Sequence, residues 1–110
     1  MDGSDNPNQG FEQLIAQVVD LSNRMFKAAE AEQWDELVEL EAERRQSLPQ
    51  LFNNPPSEHT SKLSEAVQLI IDLDKRTMAL GEKGRHLIGN ELQGLRQGQQ
   101  ATNAYNKVQG

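Results

Sequence analysis

The apolar residues of this chain recur at helical spacing almost from end to end. Phe11, Leu14, Ile15, Val18, Val19, Met25, Phe26 and Ala29 form one stripe about 160° wide, with Glu12, Gln13, Gln17, Asp20, Asn23, Arg24 and Lys27 opposite. That pattern predicts a helix from about residue 10 to residue 31. Continued on a straight helix, the stripe asks for apolar residues at 32, 33 and 36, but the sequence has Glu32, Gln33 and Glu36. The mismatch predicts a break at Ala31 to Gln33 and a second helix from about Trp34 to Phe52. In that helix Trp34, Leu37, Val38, Glu41, Arg45 and Leu48 fall on one face. Pro49 removes a backbone donor and is expected to kink its last turn.

Asn53-Asn54-Pro55-Pro56-Ser57 reads as a loop, because a residue before proline avoids the α region and asparagine favours turns. Ser57 or Ser61 is placed to cap the next helix. Leu63, Ala66, Val67, Ile70, Leu73, Thr77, Met78, Gly81, Gly84, Ile88, Leu92 and Leu95 keep helical phase throughout. A single third helix over about 58–95 would be roughly 55 Å long at 1.5 Å per residue and would outrun its neighbours. Gly81, Gly84, Gly89, Gly94 and Gly98 weaken its far end. Residues 1–9 read as a disordered tail, 10–98 as the bundle domain, and 99–110 as either a short fourth helix or a tail. The expected fold is all-α: a small antiparallel bundle of three helices, with a long third helix.

With 110 residues, 35% hydrophobic and 5% aromatic, the chain can form one small domain with a thin aliphatic core. Its formal net charge of −6 argues against nucleic acid as a partner and against docking on an anionic membrane. No cysteine is present, so thiolate chemistry is excluded. The start MDGSDNPNQG has neither the basic nor the apolar region of a signal peptide, and no apolar run approaches the roughly 20 residues of a membrane span. The expected location is cytoplasmic.

Nothing in the sequence carries enzyme chemistry, and no cofactor is implied. Glu82 and His86 stand i,i+4, a spacing that could give two metal ligands, but dinuclear carboxylate sites in bundles need paired Glu-x-x-His motifs that the chain lacks. No metal site is expected. The glycines follow no strand and precede no Gly-Lys-Ser/Thr, so they form no phosphate loop. The acidic run from Glu30 to Glu43 reads first as a solvated helix face, and second as a docking surface for a basic partner. Glu41 and Arg45 form an i,i+4 pair whose stems would line the core edge. Asp74 falls in the apolar stripe of the third helix. With helices 2 and 3 paired across the Pro-Pro loop it lies opposite Val38 and about 12 Å from Arg45. That register leaves Lys27 or the Trp34 indole as its partner.

The segment QWDELVELEAERRQSL, following a periodic Leu-Ile/Val-Val stripe, resembles the FliT-type flagellar export chaperones. Trp34, Leu37, Leu40, Glu41 and Arg44 match that family's helix motif. Gly98, Ala101, Ala104 and Tyr105 match its Leu-x-x-Gly-x-x-Ala-x-x-Ala-Tyr ending, although Gln99 and Gln100 stand where basic residues are usual. The resemblance implies an antiparallel helical bundle and a cytosolic chaperone. Such a chaperone would bind the C-terminal part of the filament-cap protein, prevent its premature assembly, and contact the export ATPase complex or a flagellar regulator. It also implies a C-terminal helix that folds over the client groove. On that reading a long third helix exposes Leu80, Leu87, Ile88, Leu92 and Leu95 as the client surface. Ala101, Ala104, Tyr105 and Val108 then form a displaceable cover. Two alternatives stand beside it: a helical adaptor or secretion chaperone for a different client, and pairing of the long helix with a second copy as a homodimer.

Overall fold

A computed structural model describes residues 7–53 and 55–109, with side chains described for 10–53 and 55–104. Four helices follow one another: α1 (Pro7–Glu30), α2 (Trp34–Phe52), α3 (Thr60–Ala79) and α4 (Glu82–Gln109), with a 3₁₀ turn, Ser57–His59, leading into α3. No strand occurs among the described residues. The helical bundle is as expected, but its helix count is not. The long third helix is two helices, and the fourth is the longest among the described residues, at 28. It runs unbroken through residue 98, where the domain boundary was expected. α1 begins at Pro7, inside the stretch read as a tail, and residues 1–6 lie outside the described residues.

The α1–α2 turn falls where the stripe loses phase. Glu32 N–H donates to Ala29 O at 3.0 Å and Gln33 N–H to Ala28 O at 2.8 Å, closing α1 with a Schellman motif. Glu32 takes the left-handed position at φ 58°, which favours glycine. The α3–α4 turn uses glycine directly: Gly81 has φ 156°. Sequence phase did not reveal this break, because a tight connection can rejoin a stripe on the same face.

The expected cap of α3 by Ser57 or Ser61 does not form. Instead Thr60 Oγ1 donates back to Ser57 O at 3.1 Å, and the 3₁₀ turn supplies the entry. Pro49 lies inside α2, and the helix continues to Phe52 with Leu51 fully buried.

Two apolar clusters form the core. One gathers Phe11, Ile15 and Val18 of α1 with Leu48 and Leu51 of α2, Leu63, Val67, Ile70 and Ile71 of α3, and Leu92 and Leu95 of α4. The other joins Leu21, Met25, Ala28 and Ala29 to Leu37, Leu40 and Ile88. α1 therefore packs against both α2 and α3, while α4 lies chiefly on α3 and meets α2 along a narrower seam. Lys62 of α3 pairs with Glu12 of α1, so both helices start at the same end of the bundle.

α4 approaches its neighbours closely at two glycines. A Cβ on Gly84 would lie 2.5 Å from the carbonyl oxygen of Thr77. A Cβ on Gly98 would lie 2.5 Å from the Phe52 ring. The glycines expected only to weaken this region thus include two that let α4 dock.

Candidate binding seam

α2 turns its surface differently from the expected stripe. Leu37, Leu40, Glu41, Arg44, Ser47, Leu48 and Leu51 are buried, whereas Val38 is 45% exposed and the Arg45 side chain 66% exposed. The buried face is therefore rotated from the one drawn through Val38 and Arg45, and Arg44 enters the core in place of Arg45. The Glu41–Arg45 pair does form, at 3.6 Å, with its arginine at the surface.

Arg44 is wholly buried and ties the four helices together. Nη1 donates to Asp74 Oδ1 at 2.8 Å and Nη2 to Asp74 Oδ2 at 3.0 Å, the two-pronged geometry that suits guanidinium to carboxylate. Nη1 also donates to Ser22 Oγ of α1 at 2.9 Å, and that hydroxyl in turn donates to Val18 O. Nη2 reaches Glu91 Oε1 of α4 at 2.5 Å. Asp74 thus pairs with Arg44, not with Lys27 or Trp34 as the sequence register suggested.

The electrostatics follow from one guanidinium meeting several acids away from water. Burial works against the Arg44 charge, but Asp74 and Glu91 outweigh it and hold the group above its ordinary value. Burial pushes the Asp74 carboxyl up, against two bonds from Arg44 that pull it down. Glu91 is pushed up to about 7, first by burial and further by the facing Glu41 carboxylate, with Arg44 opposing both. Its Oε2 and the Nε of Arg44 are buried without hydrogen-bond partners.

On either side of this ionic cluster the α2–α4 seam stays open. Toward the start of both helices, Trp34, Asp35 and Val38 face Glu82, Lys83, Arg85, His86 and Leu87 across a groove of about 880 Å³. Toward the other end, Arg45, Leu48, Pro49 and Phe52 face Glu91, Gly94 and Leu95 across a smaller cleft of about 290 Å³. Leu80, 44% exposed, lies in the α3–α4 turn.

The expected client residues divide. Leu80 is exposed and Leu87 half-buried in the groove, but Ile88, Leu92 and Leu95 are buried in the bundle. The expectation that all five are exposed fails because α4 folds back onto α3 instead of projecting beyond it. Of the expected cover, Ala101 and Ala104 are exposed, while the side chains of Tyr105 and Val108 lie outside the described residues. In the motif, Leu37, Leu40, Glu41 and Arg44 are buried, and Trp34 is half-buried at the mouth of the groove. Glu91 and Ser22 were not singled out from sequence.

Glu82 and His86 share the rim of the larger groove, and no group of three or more metal-ligating side chains comes together among the described residues. None of the described helices is long and apolar enough to cross a membrane.

Comparison with known proteins bears on most of the chain. The family model described as flagellar protein FliT matches residues 12–107. No curated protein and no solved structure matches the chain.

Proposed function

The chain belongs to the FliT family of flagellar export chaperones, and from that premise we propose that its client is the C-terminal helical segment of the filament-cap protein, held in the α2–α4 seam. The observation that carries this reading is the larger groove, where Trp34, Val38 and Leu87 leave apolar surface uncovered between two helices. An amphipathic helix laid into such a groove buries its apolar face at about the spacing of successive turns. Leu80 extends the apolar surface beyond the groove. Bound there in the cytosol, the segment is kept from assembling before export. Contacts with the export ATPase complex or with a flagellar regulator belong to the same proposal.

The distal part of α4 keeps its proposed role as a cover. Gly98 closes over Phe52, and Gln99 and Asn103 bond to Gln68 and Ser64 of α3. Removing residues after Leu95 uncovers Phe52 and the second cleft. Client binding should tighten as a result, and weaker binding by the truncated chain would count against the cover.

Calorimetric titration with a synthetic peptide of the cap protein's C-terminal segment tests the assignment. Val38→Glu and Leu87→Glu should each weaken binding by about tenfold or more, equivalent to about 1.4 kcal/mol. The exposed Val38 substitution should leave folding stability within about 0.5 kcal/mol. Wild-type affinity in both variants would remove the seam from consideration. Failure of the wild type to bind the cap segment, with binding of another export substrate, would favour a chaperone for a different client.

A further inference from the structure

α4 packs chiefly on α3 and meets α2 along a narrower seam. Among its described side chains it buries three large aliphatic ones, Ile88, Leu92 and Leu95, and it leaves α3 through a tight turn at Gly81. Its ties to α2 are Ile88 in one cluster with Leu37 and Leu40, Glu91 against Arg44, Leu95 beside Leu48, and Gly98 against Phe52. The Glu91 contact is the one ion pair joining these two helices among the described residues.

That contact is over-supplied with negative charge. Arg44 already has both prongs on Asp74, so its single charge is matched before Glu91 arrives. Glu91 brings a second carboxylate to the same guanidinium, with 10% of its side chain exposed and Oε2 unpartnered. From α2 it faces Glu41 and lies in one cleft with Arg45, which is drawn toward Glu41 at 3.6 Å and is itself mostly in solvent. α3 contributes Asp74 through Arg44, and α1 contributes only the neutral Ser22 hydroxyl. Within one turn on its own helix, Glu91 has Leu87, Ile88, Gly94 and Leu95, none of which titrates.

We propose that Glu91 is a proton-sensitive latch: α4 docks with a proton held at the Glu91 carboxyl, and loss of that proton loosens α4 from the bundle by setting a second carboxylate beside Asp74 on one guanidinium and against the facing Glu41. The latch is a property of the chain alone and goes beyond the client assignment, so either can fail without the other.

The sign follows from linkage. The docked carboxyl titrates near 7, and an undocked, solvated one near its ordinary 4.5. The docked state therefore binds the proton more tightly. Its advantage is complete below the lower value and is lost as pH rises through the higher one. Between pH 6 and pH 8 the docking equilibrium should weaken by about tenfold.

Amide hydrogen exchange of the full chain, corrected for the intrinsic pH dependence of exchange, measures this directly. Protection of α4 should fall by about tenfold from pH 6 to pH 8, with a smaller change in the centre of α1. In Glu91→Gln the slope should vanish. Should that variant fail to fold, Glu41→Gln supplies the second test: removing the facing carboxylate should move the midpoint to lower pH. The chain has two histidines, and a His59→Gln/His86→Gln double variant should keep the slope. The latch is overturned by a wild-type slope in Glu91→Gln, by an unmoved midpoint in Glu41→Gln, by loss of the slope in the double histidine variant, or by equal loss of protection in α1 and α4.

Discussion

The two sides of α2 are built on different principles. Toward α1, Leu37 and Leu40 meet Leu21, Met25, Ala28 and Ala29, a dry contact in which every one of these side chains is buried. Toward α4, an ionic cluster, a ring against a glycine and a few aliphatic side chains hold the helices, with open grooves on either side. An apolar interface gains free energy roughly in proportion to area, and separating it exposes that area to water. The seam, narrower and flanked by open grooves, has less to lose. The contrast teaches that one helix can serve as scaffold on one face and as a partly vacant binding wall on the other.

The largest way to break that contrast is Arg44→Ala. It removes the residue common to all four helices and leaves Asp74 buried without its countercharge, at a cost of about 3–5 kcal/mol in denaturant unfolding. A cost below about 1 kcal/mol would mean that the cluster contributes little to the bundle. Next come the two close glycines. Gly84→Ala sets a methyl against the Thr77 backbone carbonyl, which cannot move without shifting α3, and should cost about 1–3 kcal/mol. Gly98→Ala meets the Phe52 ring, a half-buried side chain that can swing into the neighbouring cleft, and should cost less. Equal costs would show that α4 is held as firmly along α2 as along α3. The smallest effect lies outside the seam: Glu32→Gly relieves the left-handed position after α1 and should stabilise the chain by about 1 kcal/mol, read as a rise in thermal midpoint.

Sequence patterning carried the architecture where each break disturbed it. The α1–α2 turn was legible because Glu32, Gln33 and Glu36 interrupt the stripe at once. The α3–α4 turn was hidden because Thr77, Met78, Gly84 and Ile88 keep helical spacing across it. Gly81 was the local sign of a turn, and it read equally well as a weakness within one helix. Missing that turn also misplaced the client surface, since a helix that folds back buries Ile88, Leu92 and Leu95. In α2, consecutive arginines lie 100° apart on a helix, so drawing the stripe through Val38 selected Arg45. Leu40, Ser47 and Leu51 mark the face that holds Arg44. Glu91 had no linear signal. Its role depends on α4 lying across Arg44, a relation between residues 47 positions apart that periodicity does not encode.

The central claim is that the client lies in the α2–α4 seam. Amide exchange of the full chain, with and without the cap protein's C-terminal peptide, addresses it most directly. The account predicts new protection from Trp34 through Val38 and from Leu80 through Leu87. Protection confined to the outer face of α3 around the exposed Leu69, with the seam unchanged, would contradict it.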